Sequence, residues 1–530
     1  MPGHQASSES PYIMHVNDDV LKEIIVACME SADTYYGAGP PDEFKDFLSL
    51  RLNLRDRKRN LYTMIRVCRR FRDVAYANAD IWASIAGASG SERGFNRLVE
   101  RARRAPLTLV HSRERTLSDT QIDYAVKNLD RIARLSVETN ESCDWAEILS
   151  GKSMASLSAL SVSSFSRYTV STRQYALPPL DAPQLRHLVF SDSFFIPVMA
   201  PRLRKLKLSG IRVIFMEPAH LLDLLSSTPF LQDLSLSDVI PSAITKKEQW
   251  EPCLGHVAVL PMLEVLKVHA DCCATIITLL EHVKLPDALD ARITFTATEC
   301  DADVLALGRS LQHCLVNPVF DTVLIRIEAR FVSTFEVYSN RDLGTVDTPG
   351  ISLGLNDDKK LLEHVATLAE FILPHRIEHL DLRQTCESSV YNTDAMARAL
   401  KWIAPSVQTI SIEVVDGIVL DFLTDEGSPL DFSALREIKM KWPEQSEPQR
   451  GPDHWDGFRA WMKRTGAKQL QTLTLEGVSH HIDRWCLEHV QAILKEHDSK
   501  CTVVDKRITY GARINYEPIT GGREIWDWST

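Results

Sequence analysis

Residues 203–208 read LRKLKL: an apolar residue, two free positions, a second apolar residue, one free position and a third apolar residue. The same spacing begins again at four strong positions and five weaker ones: Leu185, Leu231, Leu263 and Leu470, then Ile132, Leu157, Ile377, Val407 and Leu435. The last two apolar residues of each copy alternate with free positions, which is typical of a short strand with one buried face. One copy cannot bury that face alone, whereas a stack of copies can.

The spacing between copies predicts the fold class. Successive copies start 18 to 32 residues apart from Ile132 to Leu263, and 28 to 35 residues apart from Ile377 to Leu470. A period of roughly 20–29 residues is typical of leucine-rich repeats, which stack strand and helix units into a solenoid. We therefore predict an α/β fold in which residues 106–502 form an irregular leucine-rich-repeat solenoid. Its strands are expected to bury the following residues: Leu188, Leu206, Leu234, Leu266 and Leu473.

Two segments fit this rhythm less well. Residues 315–356 contain two alternating stretches, at 323–327 and 331–338, that read as the strands of a hairpin. Two alternatives stay open there, an inserted sheet or a poorly matching repeat. Residues 503–530 are predicted to be a C-terminal cap or tail.

The first hundred residues follow a helical pattern instead. Apolar residues at three- and four-residue steps predict helices near 14–30, 61–77 and 95–103. Glycines and prolines at 37–41 interrupt the pattern and indicate a loop. The predicted organisation is a disordered N-terminus at 1–12 and a helical module at 13–105 with an internal loop at 31–58.

Charge is unevenly distributed along the chain. The net charge is −11, yet residues 51–115 hold sixteen Lys and Arg against six Asp and Glu. This basic segment, called the head here, stands in an otherwise acidic chain and predicts two surfaces with different partners. Solvated helix faces would give the same pattern. Binding of nucleic acid by the head is a weaker hypothesis, because the arginines are not interleaved with aromatic residues for base stacking.

Composition and cysteine usage indicate a globular protein inside the cell. The chain is 44% hydrophobic and 25% charged, which is ordinary for a folded domain. Its apolar runs are shorter than the ~18 residues that a membrane-spanning helix needs. The eleven cysteines are scattered without a C-x-x-C pair, which predicts reduced thiols and a cytoplasmic or nuclear location, or both.

The sequence lacks the common motifs of enzymes. It has no glycine loop for phosphate, no nucleophile elbow and no H-E-x-x-H segment. Its densest histidine group, His480, His481 and His489, lacks the ligand spacing of a closed zinc site. We therefore expect a protein that is not an enzyme and that needs no cofactor or metal.

Several segments of the helical module resemble a known family. Residues 16–28, VNDDVLKEIIVAC, look like the opening of a fungal F-box, and residues 67–75, VCRRFRDVA, with 81–85, IWASI, resemble its second half. Residues 98–109, LVERARRAPLTL, are similar to the helix and strand that join such F-boxes to their repeats. The chain as a whole therefore resembles basidiomycete-type F-box proteins with a leucine-rich-repeat-like domain, a small helical F-box followed by the solenoid.

This resemblance implies a function. F-box proteins of this kind are substrate-recognition subunits of SCF-type (cullin-RING) E3 ubiquitin ligases, in which the F-box docks a Skp-type adaptor and, through it, a cullin. The family usually has Leu-Pro where this chain has Val16-Asn17, so the alternative is a leucine-rich-repeat scaffold without ligase association. The residues expected to contact the adaptor are Val20, Leu21, Ile24, Ile65, Cys68, Arg69, Arg70, Phe71 and Trp82, with Cys68 and Trp82 shared with the core of the module.

A substrate protein would be bound by the repeats. Solenoids present an extended surface built from the free positions between their buried apolar residues. The candidate substrate-binding residues at such positions are His187, Val189, Lys207, Ser235, Lys267, Asp381 and Lys439.

Overall fold

The structure is a computed structural model. It describes residues 16–34, 54–110, 116–139, 143–164, 177–192, 194–210, 216–240, 247–297, 301–327, 333–339, 350–355, 364–384, 397–398, 400–413, 430, 432–442, 456–464, 469–479, 484–497, 499–506 and 508–509. The predicted disordered segment 1–12, most of the predicted loop 31–58 and most of the predicted cap 503–530 lie outside the described residues.

The chain divides into two compact units. The N-terminal unit comprises Met1–Cys314 with Asp342–Ile351, and the C-terminal unit comprises Leu315–Arg341 with Ser352–Thr530. The described part of each unit is mixed α/β with mostly parallel strands, as the sequence predicts for the fold class. The division begins at Leu315, where the rhythm of the repeats breaks. Because the predicted solenoid includes parts of both units, its continuity over 106–502 stays a prediction.

The N-terminal unit begins with a helical module. Its α-helices are α1 Asp18–Thr34, α2 Leu54–Val67, α3 Arg69–Ala77, α4 Ala79–Ala83 and α5 Glu92–Ala102. The start of α1 carries Asp18 and Asp19 in its first turn, and Asn17 Oδ1 accepts the Asp19 amide at 3.2 Å, so carboxylates lie at the positive end of the helix.

The prediction of one helix over 61–77 was wrong. The helix begins seven residues earlier, at Leu54, and Cys68 has extended backbone (φ −155°, ψ 169°) that separates α2 from α3. Hydrophobic periodicity misses such a break because it reports which positions are buried and does not report a single extended residue between two helices.

Strands of the N-terminal unit follow this module. They are β1 Leu107–Val110, β2 Ile132–Thr139, β3 Ala159–Ser164, β4 Leu180–Asp181, β5 His187–Ser191, β6 Val198–Met199, β7 Lys205–Ser209, β8 Asp233–Ser237, β9 Ala258–Val259, β10 Val265–Cys272, β11 Val283–Lys284 and β12 Asp290–Ala297. The strands β1, β2, β3, β5, β7, β8, β10 and β12 pair in that order, all parallel, while β4–β6 and β9–β11 form small separate pairs.

The register of these strands stacks the apolar residues of the repeats. Leu188 pairs with Leu206, Leu206 with Leu234, and Leu234 with Leu266. All four side chains are buried, as is Leu473 in the C-terminal unit, so the predicted burial is confirmed. The first apolar residue of a repeat lies in the turn before its strand, where Leu203 N donates to Ala200 O at 3.0 Å. Within the N-terminal unit, the repeats from Ile132 to Leu263 thus each bury three apolar side chains, which stack along the sheet.

The C-terminal unit repeats this construction. Its strands, with β15 at the division, are β13 Thr322–Ile327, β14 Ser333–Tyr338, β15 Gly350–Leu355, β16 His379–Gln384, β17 Thr409–Glu413, β18 Glu437–Trp442, β19 Thr472–Ser479, β20 Thr502–Asp505 and β21 Ile508–Thr509. From β13, the strands β16, β17, β18, β19 and β20 follow in parallel order.

Segment 315–356 combines both alternatives that the sequence left open. β13 pairs parallel with β16, with Val323 opposite Leu380, and so occupies a repeat position. β14 pairs antiparallel with β13, with Phe335 opposite Ile325, and so forms the hairpin. The segment is therefore a repeat strand with an added antiparallel neighbour.

Further α-helices lie between the strands. They are α6 Asp119–Lys127, α7 Trp145–Leu149, α8 Pro218–Ser226, α9 Cys273–Glu281, α10 Asp301–Leu315, α11 Asp456–Arg464 and α12 Arg484–Glu496. None of the helices in the described ranges is both long and apolar enough to cross a membrane.

Candidate protein-interaction surfaces

Four of the predicted adaptor contacts lie in the interior of the helical module. Leu21, Ile65, Phe71 and Trp82 are buried, and the Trp82 indole Nε1 donates to the Ala75 carbonyl at 2.8 Å. A side chain buried against its own chain has no surface left to offer a partner. The expectation of direct contact is therefore corrected for these four residues, which support the surface from beneath.

Other apolar residues of the module face outward. Val20 is 49% exposed and Ile24 is 37% exposed, and residues four apart lie on the same side of a helix. Val67 and Tyr76, which sequence reasoning missed, are 59% and 40% exposed. Both residues lie inside the predicted helix 61–77 but outside the periodic set of apolar residues that indicates its buried face. These four exposed apolar side chains are the module's candidates for contact with another protein.

Arg70 is engaged within the module. Its guanidinium Nη2 lies 2.9 Å from Asp18 Oδ1 and also donates to the Val16 carbonyl. It thereby ties α3 to the first turn of α1. The expectation that Arg70 contacts an adaptor directly is corrected, since its donors are directed to its own chain, whereas Arg69 is exposed and Cys68 is partly exposed.

An aromatic stack reinforces the same module. The Tyr76 and Trp82 rings are stacked with centroids 5.3 Å apart and planes 28° apart. The Arg101 guanidinium carbon lies 4.8 Å from the Tyr76 centroid and 4.4 Å from that of Trp82, within cation–π range. α5 is thus fastened to α3 and α4, and the partly exposed Tyr76 ring is held in one orientation.

In the N-terminal unit, the predicted substrate-binding residues lie on one face of the sheet. Seven neighbouring strands, β2 to β12, contribute one register-paired residue each to a central row: Ser136, Ser161, Val189, Lys207, Ser235, Lys267 and Arg292. Except for the buried Ser136, these side chains are partly exposed. Neighbouring members of the row are about 4.8 Å apart because that is the spacing of paired strands. The predicted Val189, Lys207, Ser235 and Lys267 are thus brought together.

A first row runs beside the central row, two residues earlier on each strand. Its members are Arg134, Ala159, His187, Lys205, Asp233, Val265 and Asp290. Lys205 Nζ lies 3.7 Å from Asp233 Oδ2, and Arg292 Nη2 of the central row lies 3.5 Å from Asp290 Oδ2.

The charged groups that act on His187 in the first row are cations. Burial, together with the smaller effects of the nearby cations Lys205, Arg134, Arg186 and Arg204, lowers the pKa of His187 to about 4. His187 is therefore neutral at pH 7. Burial also raises the pKa of the Asp290 carboxyl, against the opposing effect of Arg292.

A last row, two residues later on each strand, is rich in hydroxyl groups. It consists of Glu138, Ser163, Ser191, Ser209, Ser237, His269 and Thr294. His269 Nε2 lies 3.7 Å from Asp238 Oδ1. The three rows together are called the sheet face below. They contain five Lys or Arg against three Asp or Glu, whereas acidic residues are in excess over the whole chain.

The two other predicted substrate-binding residues lie in the C-terminal unit. Asp381 of β16 and Lys439 of β18 pair with Ser411 of β17 in one row. Asp381 accepts from Arg383 at 2.6 Å, and Lys439 lies 3.5 Å from Glu437 Oε2. Each therefore forms an ion pair along its own strand, so this row is closer to neutral than the sheet face.

One group of side chains has the residue types of a catalytic triad. Ser226 Oγ lies 3.1 Å from His256 Nε2, and His256 Nδ1 lies 4.0 Å from Asp223 Oδ1. In a triad the carboxylate is buried and hydrogen-bonded to the imidazole, whereas the Asp223 side chain is 71% exposed here. Ser226 is also the last residue of α8, where the helix dipole disfavours a developing negative charge. We interpret the group as a surface hydrogen bond.

The fold and these surfaces define a mixed α/β protein with a helical module and a polar sheet face. Within the described ranges, no group of three or more His, Cys, Asp or Glu could hold a metal ion. A comparison of the chain with models of known protein families gave no match. A comparison with curated proteins also gave no match.

Proposed function

We propose that this chain is the substrate-recognition subunit of an SCF-type (cullin-RING) E3 ubiquitin ligase. The helical module docks a Skp-type adaptor and, through it, a cullin, and the repeats bind a substrate protein. The observation that carries this proposal is the exposed apolar pair Val20 and Ile24 on a small module at the end of a stack of repeats. The F-box-like segments at 16–28 and 67–85 support it.

The residues proposed here to contact the adaptor differ from those that the sequence predicted. Val20 and Ile24 provide the apolar contact, because buried apolar anchors dominate the energy of protein interfaces. Arg69 lies at the rim, where a charge alters association rate and salt dependence more than affinity. Leu21, together with the other buried residues, holds these anchors in place.

In this proposal the chain takes no part in bond making. Its role is to hold a substrate protein near the ubiquitin-transfer machinery, and the rate gain comes from the raised local concentration. The proposal therefore assigns no catalytic residue and no cofactor to the chain, and it assigns the chain to the cytoplasm, the nucleus or both.

A scaffold without ligase association is the second candidate. The observation in its favour is Val16-Asn17 in place of the Leu-Pro that the resemblance leads one to expect. Against it, the bonds from Arg70 to Val16 and Asp18 already fix the start of α1, which is a task a proline could otherwise perform.

A titration with purified Skp-type adaptor distinguishes the two candidates. We expect binding by the wild type and its loss in the double variant Val20→Asp, Ile24→Asp. The matched control is Val126→Asp with Val257→Asp, since both residues are also exposed apolar residues of the N-terminal unit, and this control should bind as the wild type does. Absence of binding by the wild type at micromolar concentration would favour the scaffold. Co-purification of adaptor and cullin with the tagged chain would independently support the ligase.

A further inference from the structure

We propose that the sheet face of the N-terminal unit binds a segment of a partner protein that is rich in Asp and Glu side chains. The inference deepens the proposed function, on which it rests for the identity of the partner as a substrate protein. It specifies the chemistry of the substrate segment, acidic side chains, which the resemblance to F-box proteins does not specify.

The central row of the sheet face is positively charged. Lys207, Lys267 and Arg292 are its charged members, and the residues between and beside them are Ser161, Val189 and Ser235. The row thus carries three positive charges and no negative one, in a chain with 60 Lys and Arg against 71 Asp and Glu. A local excess of one sign on a molecule of the opposite sign attracts complementary ligands selectively.

The surroundings of His187 in the first row are also positive. His187 is partly exposed and belongs to this row. The charged side chains that act on it are all cations: Lys205, Arg134, Arg186 and Arg204. Cations therefore also cluster where strands β2 to β7 begin. An anion placed across these strands would meet positive charge in both rows.

Hydroxyl groups line the other side of the central row. Ser163, Ser191, Ser209 and Ser237 stand in register on consecutive strands. Hydroxyl groups donate hydrogen bonds to carboxylate oxygens. A segment that crosses β3, β5 and β7 would thus find the cations around His187 along one side and hydrogen-bond donors along the other.

The chemistry of the cations favours carboxylates over phosphate groups. Phosphate recognition commonly uses the bidentate fork of arginine. The central row has two lysines, which act as point charges, and one arginine. Lys207 and Lys267 are two strands apart, at about 10 Å, so separate carboxylates of one extended segment can reach both.

Nucleic acid fits the sheet face less well. Single-stranded nucleic acid is bound by cations together with aromatic side chains on which bases stack. The three rows contain no Phe, Tyr or Trp. A protein segment is therefore the occupant that the composition of the face favours.

The test is a fluorescence-anisotropy titration of the full chain with a labelled peptide of alternating Glu and Ser. We expect binding that weakens with salt, and a loss of about tenfold or more in affinity in the double variant Lys207→Glu, Lys267→Glu. The matched control is Lys127→Glu with Lys152→Glu, which changes the net charge equally at exposed positions outside the rows and should bind as the wild type does. Circular dichroism confirms that each variant is folded.

Three results would overturn the inference. They are equal binding of a Gln-Ser peptide, equal weakening by the control pair, and binding of only a phosphoserine peptide or only an oligonucleotide. The titration needs no adaptor. A failure here leaves the ligase proposal standing, and a failure of adaptor binding leaves the peptide result standing.

Discussion

The Arg70 guanidinium and the Asp18 carboxylate meet at 2.9 Å across the helical module. Arg70 lies in α3 and Asp18 is the first residue of α1, so the pair joins elements that are 52 residues apart in the chain. Because Arg70 also donates to the Val16 carbonyl, one side chain fixes both the charge and the backbone at the start of α1. We therefore expect this link to help orient the exposed Val20 and Ile24 of the same helix.

Removal of the Arg70 side chain should loosen α1. We expect Arg70→Ala to lower the local stability of α1 by about 1 kcal/mol, since partly exposed ion pairs contribute up to that amount. Hydrogen exchange of the α1 amides measures this local opening. Arg69→Ala is the control, because Arg69 neighbours Arg70 but is exposed. Equal protection of α1 in Arg70→Ala and wild type would show that the link has no structural role.

Truncation of a stacked leucine should destabilise the N-terminal unit strongly. Leu206 and Leu234 are buried and paired in register, and we expect Leu206→Ala or Leu234→Ala to cost about 2–5 kcal/mol. Urea unfolding followed by circular dichroism gives the change in midpoint. Ser235→Ala, on the partly exposed side of the same strand, should change it little. A loss below about 0.5 kcal/mol for either leucine would contradict the burial of the stack.

His187 should make stability depend on pH. Its pKa is about 4 in the folded chain against an ordinary 6.5, so between these values the unfolded chain binds a proton that the folded chain does not. The free energy of unfolding therefore falls as the pH is lowered from 6.5 towards 4, and His187 contributes nothing to this dependence above that window. His187→Gln should flatten this dependence in urea unfolding measured across the window. His313→Gln, at an exposed position on α10, should leave it unchanged, and an equal effect of both variants would refute the assignment.

Loss of the cation–π contact should affect the helical module alone. Arg101 lies over the Tyr76 and Trp82 rings, and we expect Arg101→Ala to reduce local stability by about 0.5–1 kcal/mol. Faster hydrogen exchange in α3 and α4, without change in β5 to β10, is the expected result. Arg97→Ala, which removes an exposed arginine from the same helix, provides the control. Exchange that is unchanged in both variants would show that the stack holds without the cation.

The strands could be predicted from the sequence because apolar and polar residues that alternate along the chain indicate a strand with one buried face. Leu206 and Leu208 are apolar while Lys205 and Lys207 are not, so a period of two assigns each side chain to a face. The structure buries the first pair and leaves the second pair partly exposed. The grouping of Lys207, Ser235 and Lys267 in one row follows from the same register.

The helical module was harder to predict because its outcome depends on packing partners. Leu21 and Ile24 are both apolar and lie less than one helical turn apart, yet Leu21 is buried and Ile24 is exposed. Likewise, Arg69 and Arg70 are adjacent residues of the same type, but it is Arg70 that pairs with Asp18. Such differences depend on where α2 and α3 cross α1, which is a tertiary property that local pattern does not carry.

The order of the strands bears on how the chain is made. From β2 to β12 every strand of the main sheet pairs with the next such strand in the chain, so its contacts join residues that leave the ribosome soon after one another. Loops of this length close at modest entropic cost, and a repeat can add to its predecessor without waiting for distant sequence. The nascent chain is thus able to gain structure one strand at a time while synthesis continues.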